Sequence, residues 1–379
     1  MVEPDRTSRV STLELFFDLV FVFTITQLTN VLVSGGDVAA IGQVVVMLLV
    51  IWWMYDGYAW LTNAIAIDHL RHRILLIGGM GGFLVVALAI PHAYESDGLA
   101  FGLAYLAVVL LHASMYVRGT SAREIAAILR IVPFNLTGAG LVLLGGAIGG
   151  DVQWVSWALA GALVWVTPWF TSTEGFVIAA SHFVERHGLV IIVALGESIV
   201  VIGVGAAELD LDEGLVLVAL LSLALSASLW WMYFSDEDSV DHALNEAPEK
   251  ERARLALAAF GYWHYGLLLG VVAVAAGLKN AIGHPYDELD GLIAIELAAG
   301  AALFVACDVG FRWTLGLARS EVRLVAAAVM VATIPLGTEL AAAAQVGALA
   351  AIAVVALAVE GSRYGWGAGS SSVDDRPFG

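Results

Sequence analysis

Apolar residues run through this chain in blocks of about 20, separated by short polar stretches, and no block alternates with a period of two. Blocks of that length match one helical crossing of a bilayer, whereas a membrane β-barrel needs alternating segments of roughly ten residues. The pattern predicts an all-α, polytopic transmembrane helical bundle, because helices satisfy their own backbone polar groups inside hydrocarbon. Twelve spans are expected, at roughly 13–33, 38–62, 73–91, 98–117, 123–148, 152–170, 187–206, 214–234, 254–278, 291–309, 322–341 and 344–360.

Composition agrees with this pattern. Hydrophobic residues make up 60% and charged residues 14%, which a soluble domain of this length would not tolerate on its surface. Of the 17 lysines and arginines, all but Lys279 fall on one side of the predicted bundle, from Arg6 and Arg9 through Arg319 to Arg376. The positive-inside rule then places both termini in the cytoplasm, as expected for a multi-pass protein of the cell membrane. The opposite loops are acidic, with Asp37, Glu95, Asp97, Asp151, Glu208, Asp210, Asp212, Glu213, Asp287, Glu288 and Asp290. Such a rim either gathers cations or simply keeps the outer surface solvated. A net charge of -18 speaks against nucleic acid as a partner. Glu14 and Asp18 interrupt the first block, so no cleavable signal peptide is expected, and the single cysteine, Cys307, reads as a packing residue.

The second block ends in Trp52-Trp53-Met54-Tyr55 and the eighth in Trp230-Trp231-Met232-Tyr233, each followed by an acidic stretch and then a basic cluster. Glu14 parallels Glu185, and on that register Thr26-Gln27 falls opposite Glu197-Ser198. The spacing predicts two parallel six-helix repeats, residues 1–180 and 181–379, the second with a short cytoplasmic tail. A pathway is then expected between the first and seventh spans.

Ionised groups in hydrocarbon are costly and mark functional sites by default. Glu14 and Asp18 share one helical face, with Glu14 expected at the interface and Asp18 about 6 Å deeper. Asp56 lies at a similar depth, and Arg130 is expected to pair with either aspartate. Glu197, about 13 Å into the seventh span, is expected to bind a proton or cation, with Gln27 and Ser198 lining the path and Glu14 and Glu185 marking its entrance. His182, Glu185, Arg186 and His187 read as an interfacial lead-in, and His264 as a neutral histidine in the core. Asp308 is expected to pair with Arg312, four residues on. No metal site, cofactor or catalytic residue is expected, since no nucleotide loop, nucleophile elbow or metal-ligand spacing occurs.

Three segments carry a family likeness: Glu14-Leu-Phe-Phe-Asp18, Trp52-Trp53-Met54-Tyr55-Asp56, and His182-Phe-Val-Glu185-Arg186-His187-Gly188 followed by Leu195-Gly196-Glu197-Ser198. The chain resembles the bacterial low temperature requirement A (LtrA) family, which implies a multi-pass membrane protein linked to growth in the cold, without a settled biochemical activity. More distantly, the first span resembles that of the unconventional potassium channels of bacteria and lysosomes. Phe16 and Asp18 match their Phe-Ser-Asp signature, Phe17 replaces its serine, and His187 and Leu189 stand where the seventh span would repeat it.

The expected function is ion-conducting or proton-coupled transport, with membrane lipids and a monovalent cation or proton as partners and homo-oligomer formation left open. The alternatives are a non-transporting scaffold or stress factor and a lipid-acting membrane enzyme. The enzyme reading lacks a nucleophile or metal.

Overall fold

The computed structural model describes residues 10–65, 67, 69–207, 209–317 and 321–364. Arg6, Arg9, Arg319 and Arg376 of the basic side, and Glu208 of the acidic rim, lie outside the described residues. The first half comprises α1 (Thr12–Gly35), α2 (Val38–Ala64), α3 (Leu70–Ala89), α4 (Gly98–Gly119), α5 (Ala122–Ile148) and α6 (Gly150–Phe170). The second comprises α7 (Ala180–Ala206), α8 (Glu213–Phe234), α9 (Glu237–Glu246), α10 (Glu249–Ala256), α11 (Trp263–Gly283), α12 (Gly291–Thr314), α13 (Glu321–Val331), α14 (Ile334–Glu339) and α15 (Ala342–Tyr364). No strand occurs among the described residues, so the all-helical expectation holds.

Every predicted block is helical, but three details differ. Eleven helical stretches among the described residues, not twelve, are long and apolar enough to cross a membrane. The block at 152–170 is the exception: α6 carries Asp151, Gln153 and four tryptophans, Trp154, Trp157, Trp165 and Trp169, which lower its hydropathy. α7 starts at Ala180 and not at 187, placing His182, Glu185, Arg186 and His187 inside a helix. The block at 322–341 breaks after Val331. There Thr333 N–H turns back to Met330 O (3.1 Å), and Pro335, which has no N–H to give, sits in the first turn of α14.

The acidic rim has a local explanation. Asp37, Asp212 and Asp290 accept from the backbone N–H of Ala40, Leu215 and Leu292, each at 2.8 Å, and so cap α2, α8 and α12. On the other side, Ser11 caps α1 and Glu14 reaches back to the Ser11 N–H at 2.8 Å, while Ser121 and Glu124 do the same for α5.

α1 packs against α2, α3, α7 and α11, and α7 packs against α1, α2, α8, α9 and α11. α11 is the most buried span, with 72% of its apolar window enclosed. Its close crossing with α12 depends on glycine: a Cβ on Gly270 would lie 2.7 Å from the Gly300 carbonyl, and one on Gly300 would lie 2.9 Å from that of Gly270. Between α10 and α11 the chain makes a π-helical turn, Leu257–Tyr262. The Gly261 carbonyl in this turn accepts from Trp52 Nε1 at 2.7 Å, tying α11 to α2.

Candidate functional site

Where α1 meets α7, two pairs spaced four residues apart face each other as two rungs. Arg186 Nη1 donates to Asp18 Oδ2 at 2.7 Å and to the Glu14 carbonyl at 2.7 Å, and Tyr55 on α2 donates its hydroxyl to Asp18 Oδ1. The guanidinium lies 5.8 Å from the Phe17 ring centroid and 5.9 Å from that of Tyr55. On the second rung, His182 Nε2 stands 3.2 Å from Glu14 Oε1. The tautomer of His182 follows from Asn63. The Asn63 amide is fixed by Ala179, whose N–H donates to Oδ1 and whose carbonyl accepts from Nδ2, both at 2.9 Å. Asn63 Nδ2 therefore donates to His182 Nδ1 (3.2 Å), leaving Nε2 as the nitrogen that carries the proton toward Glu14. Asp18 and Arg186 are each 1% exposed and Glu14 3%.

Deeper toward α11, His187 faces two acceptors. Its Nδ1 is 2.8 Å from the Phe183 carbonyl and its Nε2 is 3.0 Å from Asp56 Oδ1. The ring is thus held between a carbonyl of its own helix and a carboxyl of α2. The pair is a buried histidine–carboxylate contact. His264 stands 5.4 Å from His187, ring to ring, and stacks on Trp52 at 6.3 Å. It gives its Nδ1 proton to the Ala259 carbonyl (3.2 Å) and accepts at Nε2 from the Tyr233 hydroxyl (2.7 Å). The expected neutral core histidine is what His264 is.

About two turns beyond Asp18 on α1, Thr26 donates to Glu197 Oε2 on α7 at 2.5 Å. Glu197 is 1% exposed, and its Oε1 and the buried Ser198 hydroxyl find no partner among the described residues. One turn farther, Asn30 Oδ1 accepts from Lys279 at 2.9 Å. Gln27 is half-buried beside this cluster and makes no hydrogen bond among the described residues. Between Asp18 and Thr26, Phe21 and Ile25 are fully packed, separating the Asp18 and Glu197 clusters.

A second buried charge cluster ties the C-terminal ends of α8, α12 and α15 to the start of α13. Arg312 Nε reaches Asp308 Oδ2 at 3.1 Å, as expected from sequence. Arg323 joins the same carboxylate, Glu360 (2.8 Å) and the Met232 carbonyl (2.9 Å), and Arg312 also meets Asp236.

Several expectations need correction. Arg130 pairs with neither aspartate; it is exposed on α5 and donates to the Glu174 carbonyl. Arg186 takes the place proposed for it, because α7 begins earlier and turns this residue toward α1. Glu14, in the first turn of α1, is buried, since α7 covers that turn. Asp56 pairs with His187 and does not join the Asp18 network. Glu185 is half-buried and accepts from the Val10 N–H at 3.3 Å. His182, Arg186 and His187 are the residues that sequence reasoning missed. The signal was present: His182 and Arg186 repeat the spacing of Glu14 and Asp18 with opposite chemistry. Among the described residues no three His, Cys, Asp or Glu side chains converge as metal ligands.

A bundle of long apolar helices enclosing paired charges at its centre defines a multi-pass α-helical membrane protein. The profile of the bacterial low temperature requirement A protein (LtrA) family matches residues 9–359, and the chain belongs to that family. It is also similar to an uncharacterized protein of Rhizobium meliloti (strain 1021), 27% identical over 307 residues that cover 77% of this chain and 74% of the relative.

Proposed function

We propose that this protein translocates a proton or monovalent cation across the cell membrane, with both termini in the cytoplasm and no catalytic chemistry of its own. The observation that carries the reading is Glu197: a buried carboxylate with one hydroxyl donor, one oxygen without a partner and the unpartnered Ser198 beside it. A buried carboxylate with no ion-pair contact, Lys279 acting on it only from a distance, is disfavoured unless it takes up a proton or a cation. Glu14 and Asp18 share one permanent cation, Arg186, so the inner cluster also carries an uncompensated negative charge when both acids are ionised. On this reading the Asp18–Arg186 pair, Phe21 and Ile25 close the inner half in the conformation described.

Two parallel repeats fit the same picture. Thr26 and Glu197 are equivalent positions on the proposed register and touch each other, as residues beside a two-fold axis must. The neighbour pattern also repeats: α1–α3, α3–α4, α4–α5 and α2–α6 correspond to α7–α11, α11–α12, α12–α13 and α8–α15. Growth in the cold would then reflect a need for ion or proton balance at low temperature.

One observation favours the rival reading of a non-transporting scaffold: Asp18, Asp56 and Arg186 are paired, and packed side chains separate them from Glu197. Purified protein in liposomes decides between the two. Transport predicts proton or cation flux above empty liposomes, at least about tenfold lower with Glu197→Gln, since removing the charge abolishes tight cation binding. A scaffold predicts no flux, and flux indifferent to Asp18→Asn combined with Glu197→Gln would overturn the path proposed through these residues.

A further inference from the structure

α13 and α15 run in opposite directions, with Arg323 near the start of one meeting Glu360 near the end of the other at 2.8 Å, and between them lies a groove of about 520 Å³. Its α13 wall is Val322, Val325, Ala326 and Val329, the i, i+3, i+4, i+7 stripe of one helical face. Its α15 wall is Ala351, Val355, Val359 and Arg363, one turn apart along the helix. Ala326 and Ala356 are buried at its base, and their small side chains give it depth, while Val325, Val329 and Val355 are exposed along its rim. From Ala351 to Arg363 the helix rises about 18 Å. One leaflet of a hydrocarbon core of about 30 Å is roughly 15 Å deep, so the groove has the length of one acyl chain.

Only one end of the groove is charged. Glu321 in the first turn of α13 and Arg363 in the last turn of α15 both line it there, both are exposed, and neither has an ion-pair partner among the described residues. They stand at the ends of the candidate spans Glu321–Glu339 and Ala342–Arg363, the level at which a span meets lipid headgroups. The charges behind them are already committed: Arg323 holds Glu360 through two nitrogens and also reaches Asp308 and the Met232 carbonyl. The groove thus offers a headgroup one carboxylate and one guanidinium.

We propose that this groove is a binding site for phosphatidylethanolamine, with one acyl chain lying between α13 and α15, the phosphate on Arg363 and the primary ammonium on Glu321. A guanidinium matches a phosphate as a fork of donors, and an ammonium gives a carboxylate charge-assisted hydrogen bonds. The quaternary ammonium of phosphatidylcholine has no N–H to give Glu321, and phosphatidylglycerol brings no cation to offset that carboxylate. The site involves neither Glu197 nor transport.

The test uses the full-length protein in detergent, titrated with phosphatidylethanolamine, phosphatidylcholine and phosphatidylglycerol of identical acyl chains and read by native mass spectrometry. The expected result is a saturable adduct that is tightest for phosphatidylethanolamine. Glu321→Gln should weaken that adduct roughly two- to fivefold, the range of one partly exposed ion pair, and should strengthen the phosphatidylglycerol adduct. Arg363→Gln should weaken both. All three altered side chains are exposed, so Ala351→Trp, which fills the groove, should reduce every adduct without unfolding the protein. The proposal is overturned by equal binding of the three lipids, by an unchanged lipid order in Glu321→Gln, by undiminished adducts in Ala351→Trp, or by a dimer that excludes lipid, which would make a second copy the occupant. Absent flux in liposomes leaves this proposal standing, and a negative result here leaves the Glu197 reading untouched.

Discussion

Replacing Arg186 by methionine keeps an unbranched stem in the same space and removes the guanidinium. Asp18 would then keep the Tyr55 hydroxyl as its side-chain donor, and the Glu14 carbonyl would lose the bond it receives from α7. Breaking a buried ion pair by deleting one member costs about 3–5 kcal/mol, because the other charge stays behind without its partner. The contacts over Phe17 and Tyr55, at 5.8 and 5.9 Å, lie at the outer edge of useful cation–π range and add at most about 1 kcal/mol together. A destabilisation of about 4 kcal/mol is therefore expected for Arg186→Met, and a similar one for Asp18→Ala, which strands the guanidinium. The double variant Asp18→Leu with Arg186→Met removes both charges and should be more stable than either single charge deletion. A double-mutant cycle on Asp18→Leu and Arg186→Met should accordingly return a coupling of at least about 2 kcal/mol. Equilibrium unfolding of the purified protein in mixed micelles measures each corner. Single variants within about 1 kcal/mol of the parent, the range of an exposed pair, or additive effects in the double variant would refute the view of this pair as a buried, mutually dependent unit.

Other expectations follow from the same contacts. Arg323→Leu, which unpairs Asp308 and Glu360 together, should cost about 3–5 kcal/mol in the same unfolding assay. Trp52→Phe removes the donor to the Gly261 carbonyl in the π-helical turn and should cost about 1–3 kcal/mol, read as a lower unfolding midpoint. Gly300→Val places a side chain against the Gly270 carbonyl and should separate α11 from α12, detectable as lost protection from hydrogen exchange along α12. Ser11→Ala should cost about 1 kcal/mol, since the cap on α1 loses its side-chain oxygen.

Much of the architecture could be read from sequence because a bilayer makes local demands. A span has to be apolar for about 20 residues and close its own backbone hydrogen bonds, and each stretch of chain meets that demand alone. The apolar blocks were therefore visible one residue run at a time. The Asp308–Arg312 pair was equally legible, since both partners lie on one turn of one helix. Partner choice across helices is different in kind. Nothing local distinguishes Arg130 from Arg186 as the mate of Asp18; what decides is which face of α7 meets α1, a matter of packing among α1, α2, α7 and α11. The same packing buries Glu14, gives Asp56 to His187 and fixes the histidine tautomers through carbonyls and an amide from distant parts of the chain. The sequence thus determined that costly polar groups lie within long apolar helices. The tertiary structure alone decided which of them neutralise one another and that Glu197 keeps an oxygen to spare, because those outcomes depend on contacts between residues up to 171 positions apart.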